Sequence, residues 1–115
     1  MDIAPVNPGH LLVVPRAHAA SLADLDENTG AHVFVVATRM AAALRRSGLR
    51  CKGVNLFLAD GEAAFQDVFH VHLHVLPRWR GDSFRIDLGP APRPEREELD
   101  GTAAAVRTAY ERLFG

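Results

Sequence analysis

Phe69-His70-Val71-His72-Leu73-His74-Val75-Leu76, followed by Pro77, is the stretch whose reading decides the fold. Its apolar residues Phe69, Val71, Leu73 and Val75 alternate strictly with three histidines, the period of a strand with one dry face and one polar face. The alternation predicts a strand over 69–76, ended by Pro77, from which His70, His72 and His74 emerge on one face at steps of about 6.6 Å. Three uses of such a row are chemically open. It could be the solvated side of a half-covered sheet. It could hold zinc, with His10 as a further ligand. The outer pair, however, lie about 13 Å apart at their backbones, and closing all three rings on one ion at bonds of about 2 Å would require severe bending. It could act on phosphorus, the central imidazole as nucleophile and its neighbours as proton donors and orienting groups. Imidazole suits that work because it attacks in its neutral form and the N–P bond it makes yields readily to water.

Outward from the histidines, Gly53–Ala59 is rich in Val, Leu and Phe and predicts a second strand, with a turn at Asp60-Gly61 and a loop over 62–67. Before it, Asp26 is placed to cap a helix running to about Ser47 and ended by Gly48. Val33, Val36, Ala37, Met40 and Leu44 make one apolar stripe along that helix, suited to packing on a sheet. His10–Val14 predicts a short strand halted by Pro15, and Ser21–Leu25 a helical turn. After Pro77, residues 78–93 are loop-like, with Gly81, Gly89 and several prolines, until Leu99, Ala103, Val106, Tyr110 and Leu113 mark a closing helix from about Pro94 or Glu95. The fold class expected is α+β: an antiparallel sheet with a long helix packed on it and a C-terminal helix.

With 115 residues, the chain is read as a single domain over 1–115. Thirteen basic against fourteen acidic residues leave a net charge of −1, so nothing advertises a nucleic-acid or membrane-surface partner, and an anionic ligand must be held by local donors. The single cysteine, Cys51, excludes an intrachain disulfide and a Cys-based zinc cluster and fits a reducing compartment, so a cytoplasmic location is expected. No apolar run approaches the roughly 18 residues of a membrane span, and Met1–Pro5 has no signal-peptide pattern.

The run His70-Val71-His72-Leu73-His74-Val75-Leu76-Pro77-Arg78, preceded by Asp60-Gly61 and Gln66, resembles the signature of the histidine-triad (HIT) family. Upstream, Asn7-Pro8-Gly9-His10-Leu11-Leu12-Val13-Val14-Pro15, followed by His18, is similar to the segment that brings the family's fourth active-site histidine to the triad. The resemblance covers nearly the whole chain. It implies a homodimer whose sheet runs across both subunits through the strand from Gly53, and nucleotidyl hydrolase or transferase activity without a metal or other cofactor. It further implies His72 as the nucleophile that becomes nucleotidylated. His74 would lie at the α-phosphate or its bridging atom, with His70 and His10 in the proton network. Asp2 would meet the ribose hydroxyls and Ile3 the base, while Gln66, Asp67 and Val68 would line the phosphate cradle. His18 and His32 are read as surface or capping residues.

The chain departs from the family pattern at Ala59, where an amide side chain is usual, at Phe65, where a glycine is usual, and at Asp67, where a serine or threonine is usual. The first loses a donor. The second leaves a backbone N–H to be approached past a bulky ring. The third brings a carboxylate near a phosphate, which repels it unless it is protonated, turned away or paired with a cation such as Arg78. The family usually has a helix and hairpin before the position of Asp2, so an incomplete base-binding wall and an exposed sheet edge are expected here. A nucleotide-binding scaffold without turnover, or a zinc-binding module, are the alternatives to an enzyme. Arg78, Arg80, Arg85 and Arg93 are candidates for neutralising a distal phosphate chain.

Overall fold

Residues 1–115 are described by a computed structural model. Its sheet has three antiparallel strands: β1 (Leu11–Val13), β2 (Gly53–Phe57) and β3 (Leu73–Arg78), in the order β1-β3-β2. Helix α1 (Glu27–Arg46) packs on β3 and β1. The Asp26 side chain accepts from Thr29 N–H at 3.1 Å and begins the helix; the Ser47 hydroxyl on the Leu44 carbonyl and Gly48 at φ 84° finish it. Val33, Ala37 and Leu44 bury the expected stripe against Val13, Leu73 and Val75, with Val36 and Met40 at its margin. The fold class is therefore α+β as read from the sequence. None of its helices is long and apolar enough to cross a membrane.

The chain divides into two compact units, Met1–Phe84 and Arg85–Gly115. The second contains helix α2 (Arg96–Phe114), which starts after Glu95, and its stripe of Leu99, Val106, Tyr110 and Leu113 is exposed. Within that helix the Tyr110 and Phe114 rings meet at a tilt, 5.2 Å between centres.

The histidine strand is displaced from its expected limits. Pairing begins at Leu73, opposite Val13, and continues through Pro77 to Arg78, so neither the start at Phe69 nor the stop at Pro77 holds. The register puts Pro15 opposite Val71, and a proline has no N–H to extend the ladder. Val71 N–H turns instead to the Ala19 carbonyl at 2.8 Å, and Phe69 is half exposed. Pro77 is tolerated because β1 has already ended: the next residue on that side, Gly9, lies at φ 97° in a turn, and Pro77 has only β2 beside it. The two-faced pattern itself survives from Val71 to Val75, with Val71, Leu73 and Val75 buried and His72 and His74 on the open face.

Candidate functional site

The register sets His74 between Leu12 on β1 and Phe57 on β2, with the Phe57 and His74 rings 5.9 Å apart. His10 reaches this row from the N-terminal side of β1. It closes a turn in which its N–H donates to the Asn7 carbonyl at 3.0 Å, with Pro8 and Gly9 at the corners; the φ of 97° at Gly9 is why glycine stands there. A side chain at Gly9 would also run into Leu44, Leu49 and Pro77, at 3.0–3.3 Å.

The hydrogen bonds specify the tautomers. Val6 N–H points at His10 Nδ1 at 3.3 Å, so Nδ1 is the acceptor and the proton of neutral His10 sits on Nε2. That Nε2–H donates to His74 Nδ1 at 2.8 Å, which leaves the proton of His74 on its own Nε2. His72 Nδ1–H donates to the His70 carbonyl at 2.8 Å, leaving a lone pair on Nε2. His70 Nε2–H donates to the Pro15 carbonyl at 2.7 Å, and the exposed His18 ring lies 5.4 Å from it. The His72 and His74 rings meet edge to face at 5.1 Å.

Burial lowers the pKa of His10, partly opposed by the Asp2 carboxylate. The same desolvation, with the neighbouring His10 and His72, lowers that of His74, against the attraction of Asp2 and Asp67. Both shifts favour the neutral ring, the form that the hydrogen-bond chain uses. The Ala4 N–H, donated to Asp2 Oδ1 at 2.8 Å, keeps the Asp2 carboxyl below its usual range, and Oδ2 of the same residue lies 3.5 Å from His10 Nε2.

Of the remaining residues singled out from the sequence, Val68 joins Leu12, Val14, His70 and His72 around an apolar cavity of about 170 Å³. Asp67 is exposed, and Ile3 is fully exposed. Gln66 is buried and spends its side chain on the loop: Oε1 accepts from Gly61 N–H at 2.8 Å, and Nε2 donates to the Ala20 and Val68 carbonyls at 2.7 and 3.1 Å. Phe65 occupies the left-handed region at φ 68°, ψ 25°, the conformation a glycine accepts freely, and its N–H is not left open but donates to the Glu62 carbonyl at 3.0 Å. The two edges of the sheet are β1 and β2.

Arg78 is not available to Asp67 or to a phosphate chain. Its guanidinium forks onto Asp82, with Nε to Oδ2 at 2.6 Å and Nη2 to Oδ1 at 2.9 Å, and Nη1 donates to Asn55 Oδ1 at 2.7 Å. This clasp was missed from the sequence. The spacing of Arg78 and Asp82 is its only local sign.

Asp2, His10 and His74 each have a donor atom within 4.8 Å of the others, the one grouping able to approach a metal ion together. It fits a metal poorly. The atom that His10 would offer, Nε2, carries the proton it donates to His74, because Val6 N–H occupies Nδ1. Of the zinc ligands weighed from the sequence, His70 and His72 each donate one ring N–H to a backbone carbonyl and keep the lone pair of the other nitrogen.

Residues 1–81 match the family model of the HIT domain. An uncharacterised HIT-like protein of Borreliella burgdorferi is 38% identical over 90 residues, 77% of this chain and 65% of that protein. An uncharacterised HIT-like protein of Mycobacterium tuberculosis is 40% identical over 99 residues, 84% of this chain and 68% of that protein. The chain thus spans about two thirds of the length of these relatives. Among solved structures, a zinc-bound histidine triad family protein from Mycobacterium smegmatis is 42% identical, with a TM-score of 0.69 over 95% of this chain and 78% of that one.

Proposed function

The chain belongs to the HIT family, and from that premise we propose that it is a nucleotidyl hydrolase or transferase working through a nucleotidyl–His72 intermediate. The observation that carries this reading is the bond from His72 Nδ1–H to the His70 carbonyl, which frees the Nε2 lone pair beside an apolar cavity. That lone pair attacks the α-phosphorus of a nucleoside phosphoramidate or dinucleoside polyphosphate. The N–P bond forms as the bond to the leaving amine or phosphate breaks, and the positive charge arising on the His72 ring is stabilised through Nδ1–H by the His70 carbonyl. His74 Nε2–H donates a hydrogen bond to the departing atom, and His10 sustains that tautomer; the proton that a departing amine gains is drawn from solvent. Water then attacks the phosphorus and releases a proton to solvent, the N–P bond breaks, and nucleoside monophosphate leaves with neutral His72 restored. Asp2 is the partner for the ribose hydroxyls, Ile3 for the base, and Val68 and Asp67 border the reacting phosphate.

No metal step is invoked. The zinc named for the Mycobacterium smegmatis relative belongs to that protein; here the Asp2, His10 and His74 grouping would have to give up the His10–His74 hydrogen bond to hold an ion. The reading includes a cytoplasmic homodimer joined along β2, an edge strand on which Leu56 and Phe57 are 39% and 46% exposed and would be covered by a second copy.

The test is to incubate the protein with adenosine phosphoramidate or diadenosine polyphosphate, quench, and weigh it intact. An adenylyl adduct that His72→Ala abolishes is the expected result. Nucleotide binding with neither adduct nor turnover would replace this reading with that of a scaffold.

A further inference from the structure

At the end of β3 away from His72 lies a polar cluster that the chemistry above does not use. Asn7 and Asp82 are both 3% exposed. Asn7 Nδ2 donates to the Pro77 carbonyl and to Asp82 Oδ2, each at 2.9 Å. The Asp82 carboxylate is in turn gripped by the Arg78 fork, which also donates to the Phe84 carbonyl at 3.0 Å and so anchors the end of the loop. A buried carboxylate is costly to desolvate and is weak evidence of stabilisation by itself. Its geometric effect is to give Asn7 a second hold beside the Pro77 carbonyl of β3. Asn7 is also the first residue of the turn that His10 closes, and the turn leaves little play, since Pro8 fixes its own φ and a Cβ added at Gly9 would come within 3.0–3.3 Å of Leu44, Leu49 and Pro77. Where Asn7 is held, His10 is held.

We propose that Asp82, acting through Asn7, is a positioning residue for the His10–His74 pair. By seating the Asn7–His10 turn on β3 it brings His10 Nε2–H to His74 Nδ1 and so keeps the proton of His74 on Nε2. Asp82 lies one residue beyond the stretch that matches the family model. The proposal rests on the histidine row being the reactive site, but its physical content is a tautomer and does not need turnover to be read. The charged and titratable groups that face the pair are Asp2 and the N-terminal amine at His10, and His72, Asp2 and Asp67 at His74.

The experiment is long-range ¹H–¹⁵N imidazole NMR of the full chain across a pH titration, comparing the unaltered protein with Asn7→Ala, Asp82→Asn and Val33→Ala. Asn7→Ala leaves the Arg78–Asp82 fork in place and removes the Asn7 bonds to both Asp82 and the Pro77 carbonyl, while Asp82→Asn alters the Asp82 link alone. Val33→Ala loosens the core at a distance and controls for lost stability. In the unaltered protein His10 carries its proton on Nε2 and His74 on Nε2. In both clasp variants these rings interconvert between tautomers and titrate nearer to ordinary imidazole, and adduct formation slows about tenfold or more with KM little changed. Native tautomers and titrations in the clasp variants, or the same disturbance in Val33→Ala, would overturn the proposal and leave a merely structural clasp. Asn7→Ser, which keeps a donor, gives a milder version if Asn7→Ala fails to fold. A tautomer change in a protein that forms no adduct even unaltered would uphold the positioning and reject the catalytic reading.

Discussion

His10 and His74, 64 residues apart in the chain, meet nitrogen to nitrogen at 2.8 Å, and the direction of that bond sets which atom of His74 carries its proton. The bond is directed by a backbone amide, Val6 N–H, on the far side of the His10 ring. Removing its donor tests how much depends on it. His10→Ala should leave the fold intact and slow adduct formation about 100-fold, within the range usual for a lost acid–base partner. Quenched-flow intact mass on nucleoside phosphoramidate measures the rate; an unchanged rate would remove His10 from the proton network.

The same pair gives the fold a pH dependence whose sign follows from burial. Both rings have lower pKa values in the folded chain than in the unfolded one, where an imidazole titrates at about 6.5. Below that value the unfolded chain binds more protons, so stability rises with pH over the interval. Their contribution is complete above about pH 6.5 and is lost as pH falls through the folded values, at up to about 1.4 kcal/mol per pH unit for each ring. Urea midpoints from pH 8 to 5 should therefore fall, and fall less steeply in His10→Gln. Parallel curves for the two proteins would contradict this.

Phe65 stands in the left-handed region and is 84% exposed. It bears backbone strain and recovers little through burial. Phe65→Gly should stabilise the chain by about 1 kcal/mol, the strain relieved exceeding the added entropy of the unfolded glycine. Chemical denaturation measures it, and a loss of stability would mean that the ring is covered in the protein's working assembly.

Gly9→Ala should do the opposite. The new methyl must sit at φ 97° and within 3.0–3.3 Å of Leu44, Leu49 and Pro77, so a loss of more than about 1 kcal/mol is expected. Because the same turn delivers His10, adduct formation should slow as well. Retention of both stability and rate would show that the turn can relax without moving the histidine.

Much of this was legible in the residues. The alternation around His72 announced two faces, the stripe from Val33 to Leu44 announced the helix that covers one of them, and Asp26 and Gly48 marked its ends. Strand limits were not, because ladder pairing depends on the neighbour: Pro15 stops it before Leu73, and the early end of β1 lets Pro77 stay inside it. Gln66 and Arg78 were read toward a ligand, as exposed donors would be. Their partners, Gly61 and Ala20 for one and Asp82 for the other, became visible only when the loops closed.

By itself, then, the sequence determined that a row of imidazoles stands on one side of a half-buried sheet, since side-chain direction in a strand follows from backbone periodicity alone. Which nitrogen of each ring carries the proton was decided by the tertiary structure. A tautomer depends on the partner that approaches each nitrogen, and here those partners are Val6 N–H, His10 and the carbonyls of His70 and Pro15, set in place by a turn, a strand end and a buried carboxylate distant in sequence.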